Sequence, residues 1–244
     1  MEFLENGPVG DRGEMAPMRR GEWLAERRAF VEADYTRDAP TYDEGYDPVT
    51  PVHRRFVARL IDSCPEGGTV LDAACGTAPY AGMILDAGRR FVGTDQSAGM
   101  LARARSKHPD VRFEPLGLQE LSFDGRFDAA MCLDAMEHVP PEEWPLVIGN
   151  LARALRPGGH LYVTVEEIDG GRLVPAFEEA TAAGLPVVYG EVIIGDTGGY
   201  HFYPDREQVS AWVADAGLEV VDDDDEGLDG YAYHHLFLRA PEIG

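Results

Sequence analysis

Apolar positions along the chain follow first a helical period and then a mixed one. From residue 21, GEWLAERRAFVEADY sets Trp23, Leu24, Arg27, Phe30 and Val31 on one face, and PVHRRFVARLIDSC from residue 51 repeats the spacing with Val52, Phe56, Val57, Leu60 and Ile61. Both stretches predict helices ahead of the main body. From residue 69 short apolar runs alternate with helical patterns: TVLDAA, YAGMILDAG, RFVGTD, SAGMLARARSKH, VRFEPL, FDAAMCLD, PEEWPLVIGNLARALRPGG and HLYVTVEE. That alternation predicts a parallel sheet with helices on both faces, an α/β fold. The regularity lapses over residues 168–203, a Gly-rich stretch expected as an insertion at the sheet edge. A last helix, PDREQVSAWVADAGL, then leads to two closing strands, LEVVDDD and YAYHHLFLRA. Residues 1–20, rich in Gly, Pro, Met and charge without a period, are expected to form a flexible lead-in to a single domain over 21–244.

Composition narrows the partners. The chain has 244 residues, 44% of them hydrophobic, enough for one full core. Against 44 acidic residues stand 21 basic ones, a net charge of −23, so the attraction to phosphate that normally drives nucleic-acid or anionic-membrane binding is missing. No apolar run approaches the roughly 18 residues a bilayer span needs, and the acidic start MEFLENGPVGDRGEM does not read as a signal peptide. Cys64, Cys75 and Cys132, an odd number without CxxC spacing, suit reduced thiols. The expectation is a cytoplasmic protein with neither nucleic acid nor membrane as partner; oligomeric state is not readable.

In doubly wound sheets ligands bind beyond the carboxyl ends of the strands where strand order reverses. The positions of interest are therefore Asp72 to Ala78, Asp95, and Leu133 to His138. A dinucleotide turn would need GxGxxG after the first strand, but that frame here is Ala74, Gly76 and Pro79.

Shifted by one frame, VLDAACGTA resembles the DxGxGxG first motif of the class I S-adenosylmethionine-dependent methyltransferases. FVGTDQS, FDAAMCLDAMEHVP and LARALRPGGHLYVTVE follow in the family's order, and the resemblance covers roughly residues 40 to 240. It is closest to the small-molecule branch, where EHV is followed by proline. The resemblance implies a Rossmann-like sheet of seven strands, mostly parallel with an antiparallel last strand, and S-adenosylmethionine as cofactor. It places Asp72 beneath the methionine tail, Ala74, Cys75 and Gly76 in the turn around it, Asp95 and Gln96 at the ribose, and Leu118 and Gln119 at the adenine. Leu133 and Tyr42 complete the expected cofactor wall. Asp95 has a second reading, an Asx-turn before a helix capped by Ser97. Ala74 and Ala78 replace family glycines, and Leu118 stands where an acidic residue is usual. Tyr35, Tyr42 and Tyr46 belong to a segment, 21–64, expected as a helical lid.

Methyl transfer is an in-line displacement that depends mainly on alignment and desolvation. A hydroxyl acceptor must also lose a proton, for which His138 is the natural base; its other reading is a packed histidine. Asp134, Glu137 and His138 have i, i+3, i+4 spacing, which one helical turn would place on a single face. With His201 they resemble the divalent-cation set ExxEH plus a distal His of certain O-methyltransferases. The competing reading leaves Asp134 lining the cofactor pocket, Glu137 solvated and His201 touching substrate. Tyr189, Tyr200, His201, Phe202 and Tyr203 read as walls of an acceptor pocket or as packing. DDDDEG, residues 222–227, reads as a solvated strand end, and at least one of His234 and His235 as structural. The expected activity is O-methylation of a small organic acceptor, in metabolite or natural-product biosynthesis. N-methylation and a non-methylating reaction such as cyclisation are the alternatives.

Overall fold

The computed structural model describes residues 19–44, 49–194, 199–228 and 230–242. Most of the expected lead-in, and Tyr46 of the expected lid, lie outside the described residues. Two helices come first, α1 (Arg20–Asp38) and α2 (Pro51–Ser63). Helix α2 starts cleanly because Thr50 caps it, accepting from the His53 backbone N–H, and Pro51 occupies the first helical position. Alternating units follow: β1 (Thr69–Ala73), α3 (Ala81–Asp86), β2 (Arg90–Thr94), α4 (Ala98–Lys107), β3 (Arg112–Glu114), β4 (Phe127–Cys132), α5 (Trp144–Ala154) and β5 (Leu155–Glu167). The insertion carries α6 (Gly170–Ala182) and a hairpin of β6 (Glu191–Ile194) and β7 (Gly199–Phe202). Helix α7 (Arg206–Asp215) precedes β8 (Glu219–Gly227) and β9 (Ala232–Arg239).

The seven-stranded sheet has the order β3-β2-β1-β4-β5-β9-β8. Only β9 runs against its neighbours, pairing antiparallel with both β5 and β8. Strand order reverses between β1 and β4, so a crevice opens there beyond their carboxyl ends. Period-two alternation divides the strands between two cores. Val70, Ala129, Met131, Tyr162 and Phe237 face α2, α3 and α4, while Leu71, Ala130, Cys132, Val163 and Leu236 face α5 and α7. Val52, expected on the buried stripe of α2, is half-buried, and His53 takes the position against the sheet at 1% exposure.

Two boundaries differ from the sequence reading. Helix α5 stops at Ala154, not at Gly159, because Pro157 cannot continue it; the chain between Leu155 and His160 bulges before pairing with β4 resumes. The insertion, read as irregular, holds a helix and a hairpin, and its described glycines fall at or beside their ends.

Outside glycine, left-handed backbone occurs among the described residues at Ala74 (φ +58°), Ala78 (+57°) and Asp134 (+51°). All three follow β1 or β4, so the strain gathers at the crevice. An L-residue held there costs about 1–2 kcal/mol, whereas the extra freedom of an unfolded glycine costs about 0.4–1 kcal/mol. Ala74→Gly should therefore stabilise the protein by up to about 1 kcal/mol in urea unfolding. Ala78→Gly also loses a buried methyl worth about 0.8 kcal/mol and should be near neutral. A clear loss of stability in Ala74→Gly would contradict the strain assignment.

Candidate active site

The turn after β1 is held by its own backbone. Cys75 N–H donates to the Thr94 carbonyl at 2.8 Å, and Gly76 N–H donates to Asp95 Oδ2 at 2.9 Å. The other Asp95 oxygen accepts from Ser97 N–H at 2.7 Å, and Ser97 caps α4. The Asx-turn read from the sequence is thus present, yet each carboxylate oxygen keeps a second lone pair. Burial raises the Asp95 pKa above the ordinary carboxylate value, with the two backbone donors pulling the other way.

Asp72, two residues before Ala74, is the more extreme group. It is 2% exposed, and its Oδ2 has no hydrogen-bond partner among the described residues. Burial, then the neighbouring Asp95 charge, pushes its pKa well above the usual range. Such an oxygen calls for a cationic donor.

Leu118 begins a one-turn 3-10 helix, Leu118–Glu120, on the far side of the crevice. Asn150 of α5 fixes this turn from behind, donating to the Leu118 and Gln119 carbonyls at 3.1 and 3.2 Å. The amides that open a helical turn lack partners within it and so can meet a ligand.

Helix α1 closes the crevice from above. Arg28, Val31 and Tyr35, spaced along one face, and Tyr42 beyond its end reach over it. Together they bound a cavity of about 1050 Å3, partly open to solvent. Asp72, Ala74, Cys75, Gly76, Asp95 and Gln96 line it, as do Leu118, Gln119, Leu133 and Tyr42. Asp134 and His138 complete one end. Arg20 anchors α1 by a two-pronged ion pair with the fully buried Glu191 of β6, at 2.8 and 2.9 Å, and Trp23 packs edge-on against Tyr200 of β7. Asp43 accepts from Thr77 at 2.5 Å, tying the segment after α1 to the turn.

His138 is oriented by two bonds. Its Nδ1 must donate to the Tyr200 carbonyl at 3.1 Å, since a carbonyl only accepts, so Nε2 accepts from the Tyr35 hydroxyl at 2.9 Å. Burial, then the adjacent His201 ring, lowers its pKa to about 3, and the imidazole is neutral. His201 lies outside the cavity lining, with Nδ1 2.9 Å from Glu166 and 3.0 Å from the Tyr203 hydroxyl.

The expected divalent-cation quartet does not assemble. Only Met136–His138 form a 3-10 turn, and Asp134 precedes it in left-handed backbone, turned toward His53 and Thr164. Among the described residues, the ligand atoms that gather within 4.8 Å of one another as a group of three belong to His53, Glu226 and His235 instead. Glu137 is not solvated either: it is 5% exposed, its Oε2 is unpartnered, and burial, then Glu166, pushes its pKa well up. The aromatic wall also disperses. Tyr189 is 56% exposed, while Tyr200 and Phe202 are buried in the core.

Sequence reasoning missed Arg28, Val31, Asn150 and His53 as site residues. The i, i+3, i+7 spacing of Arg28, Val31 and Tyr35 was the available signal for α1, and a lone imidazole on an apolar stripe was the signal for His53.

The methyltransferase domain family matches residues 70–159, from the first strand into the bulged start of β5. Over these residues the chain carries a class I S-adenosylmethionine-dependent methyltransferase domain. A demethylmenaquinone methyltransferase of Renibacterium salmoninarum is 28% identical over 210 residues, covering 81% of this chain and 87% of that one. A ubiquinone biosynthesis O-methyltransferase of Alkalilimnicola ehrlichii is 31% identical over 46% of this chain and 47% of its own length. Among solved structures, a Burkholderia thailandensis 1,6-didemethyltoxoflavin-N1-methyltransferase with bound S-adenosylhomocysteine superposes with a TM-score of 0.65 at 18% identity, over 98% of this chain and 94% of that one. Among the described residues of this methyltransferase, no helix is long and apolar enough to cross a membrane.

The cavity fits the methyltransferase cofactor on its own chemistry. An unpartnered buried carboxylate oxygen suits an ammonium, a second carboxylate with spare lone pairs suits two vicinal hydroxyls, and the apolar side near Leu118 suits a flat heterocycle. Asp95→Ala should weaken S-adenosylmethionine binding by about 1.5–3 kcal/mol, the range for hydrogen bonds to a charged group. Unchanged affinity by calorimetry would remove Asp95 from the ribose site.

Proposed function

We propose that this methyltransferase methylates an oxygen atom of a small organic acceptor held between the cofactor cavity and the β6–β7 hairpin. The observation that carries the reading is the neutral His138 at the cavity end, its Nε2 lone pair turned to a hydroxyl donor. Its support among relatives is the ubiquinone biosynthesis O-methyltransferase. Asp72 holds the cofactor's ammonium, Asp95 with Gln96 its ribose, and the Leu118 and Gln119 amides its adenine. The turn Ala74, Cys75, Gly76 lies under its tail, and Leu133 and Tyr42 wall it in. Helix α1 and the segment through Tyr42 act as a lid, fixed by Arg20 and Asp43.

S-adenosylmethionine supplies a methyl group already activated on a sulfonium, so the chain's residues need only align the acceptor and take up its proton. An acceptor hydroxyl replaces the Tyr35 O–H as donor to His138 Nε2. With its pKa lowered to about 3, His138 is a weak base. It is sufficient, because an oxygen that has begun to bond a methyl group turns into a protonated ether, far more acidic than an imidazolium. Proton transfer therefore accompanies carbon–oxygen bond formation. The same depressed pKa keeps His138 in its accepting form from pH 5 upward, so the activity profile should lack an inflection near 6.5 from this residue.

Tritium-labelled cofactor incubated with matched phenol and amine acceptors tests the reading. His138→Ala should lower turnover with the phenol at least about 100-fold, with little change in cofactor affinity. Equal losses in both, transfer confined to the amine, or a His138-dependent inflection near pH 6.5 would contradict it.

A further inference from the structure

Behind Asp134, on the face of the sheet covered by α2, three side chains from three elements converge. His53 comes from α2, Glu226 from β8 and His235 from β9. Glu226 pairs with Tyr233 and His235 with Asp224 across the ladder, so Glu226 and His235 are diagonal neighbours on one face of the sheet. We propose that His53 Nδ1, Glu226 and His235 Nε2 form a binding site for a zinc-type divalent cation.

Ligand spacing comes first. Glu226 Oε2 lies 3.7 Å from His53 Nδ1 and 3.4 Å from His235 Nε2. Zinc bonds of about 2.0–2.2 Å in tetrahedral array require ligand atoms about 3.4 Å apart, so Glu226 stands near ligand spacing from both rings, and all three ligand atoms lie within 4.8 Å of one another. Two imidazoles and one carboxylate are a borderline donor set that suits zinc better than magnesium or calcium, and they leave a fourth position open.

The second argument lies in how the rings are held. A metal-bound imidazole normally donates its other ring N–H to a carboxylate or another fixed acceptor. His53 Nε2 faces Asp134 Oδ1 at 3.1 Å, and His235 Nδ1 faces the Tyr162 hydroxyl at 2.7 Å. Asp134 is itself fixed by the Thr164 hydroxyl at 3.0 Å. Both rings thus have the outer nitrogen anchored and the inner one turned toward Glu226.

The simpler account is a hydrogen-bonded ion pair. Along α2, Arg59 pairs with Asp222 and Arg55 with Asp224, and His53 with Glu226 continues the row. Thr50 completes it, donating to Glu226 at 2.7 Å and meeting His53 Nδ1 at 2.8 Å. That account gives His235 Nε2 only an ion-pair contact with Glu226 at 3.4 Å: the residue is fully buried, and this nitrogen has no hydrogen-bond partner among the described residues. An ion bound to Glu226 gives it one. Through His53 and Asp134, the site reaches the wall of the cofactor cavity.

The test uses the tag-free full chain, stripped with a chelator and titrated with zinc chloride by calorimetry, with zinc content read by atomic spectrometry. One zinc per chain should bind saturably and raise the thermal midpoint. Glu226→Gln, which keeps an acceptor for Thr50, should bind at least tenfold more weakly, and so should His235→Gln. Asp134→Asn should lose about 10- to 100-fold through the His53 ring. Glu137→Gln, from the quartet that does not assemble, should bind as the unaltered chain does. Absence of stoichiometric binding, unaltered affinity in Glu226→Gln, or a loss confined to Glu137→Gln would each overturn the proposal. Should His235→Gln fail to fold, the Glu226→Gln titration decides.

Discussion

A carboxylate buried without a partner is the constraint on which this site turns. Asp72 ends β1 inside the crevice where strand order reverses, 2% exposed and with one oxygen unpartnered. An isolated charge there would cost several kcal/mol, which favours the protonated form over the bare carboxylate. Asp95 reinforces this by adding a second negative group nearby. A cationic group placed beside this oxygen would restore stability that the burial costs. The left-handed positions at Ala74, Ala78 and Asp134 belong to the same pattern, since they bend the backbone at the crevice beyond β1 and β4.

The covering elements form one connected assembly. Arg20 and Trp23 join α1 to the β6–β7 hairpin, Tyr200 of that hairpin orients His138, and His138 meets Tyr35 back on α1. A shift of α1 would therefore disturb the hydrogen bonds of His138 as well as the roof of the cavity. The carboxyl ends of the strands fix the floor, and α1 forms the roof.

Elements whose signal is local were legible in the sequence. The β-α alternation, the capped start of α4, and the acidic ends of β1 and β2 follow from periodicity and short-range capping; the parallel α/β class followed from them, and the seven-strand order from the family resemblance. Positions set by tertiary contact were not. Asp134, Glu137 and His138 have helical spacing, but Asp134 takes left-handed backbone because Thr164 and His53 hold it, and no spacing rule carries that information. Glu226 and His235 lie on different strands, and His53 is remote from both; only the β8–β9 register and the packing of α2 bring them together. The aromatic residues of the insertion stayed open between pocket wall and packing because their hairpin, which buries Tyr200 and Phe202 in the core, had no local signal.

Proton linkage on cofactor binding tests the central role of Asp72 most directly. Calorimetric titration with S-adenosylmethionine at pH 6, in buffers of different ionisation enthalpy, counts protons exchanged. If Asp72 is protonated in the free enzyme and ionises against the cofactor's ammonium, binding should release up to about one proton, and Asp72→Asn should abolish the release while weakening affinity. Binding without proton release, with Asp72→Asn as tight as the unaltered enzyme, would contradict the account.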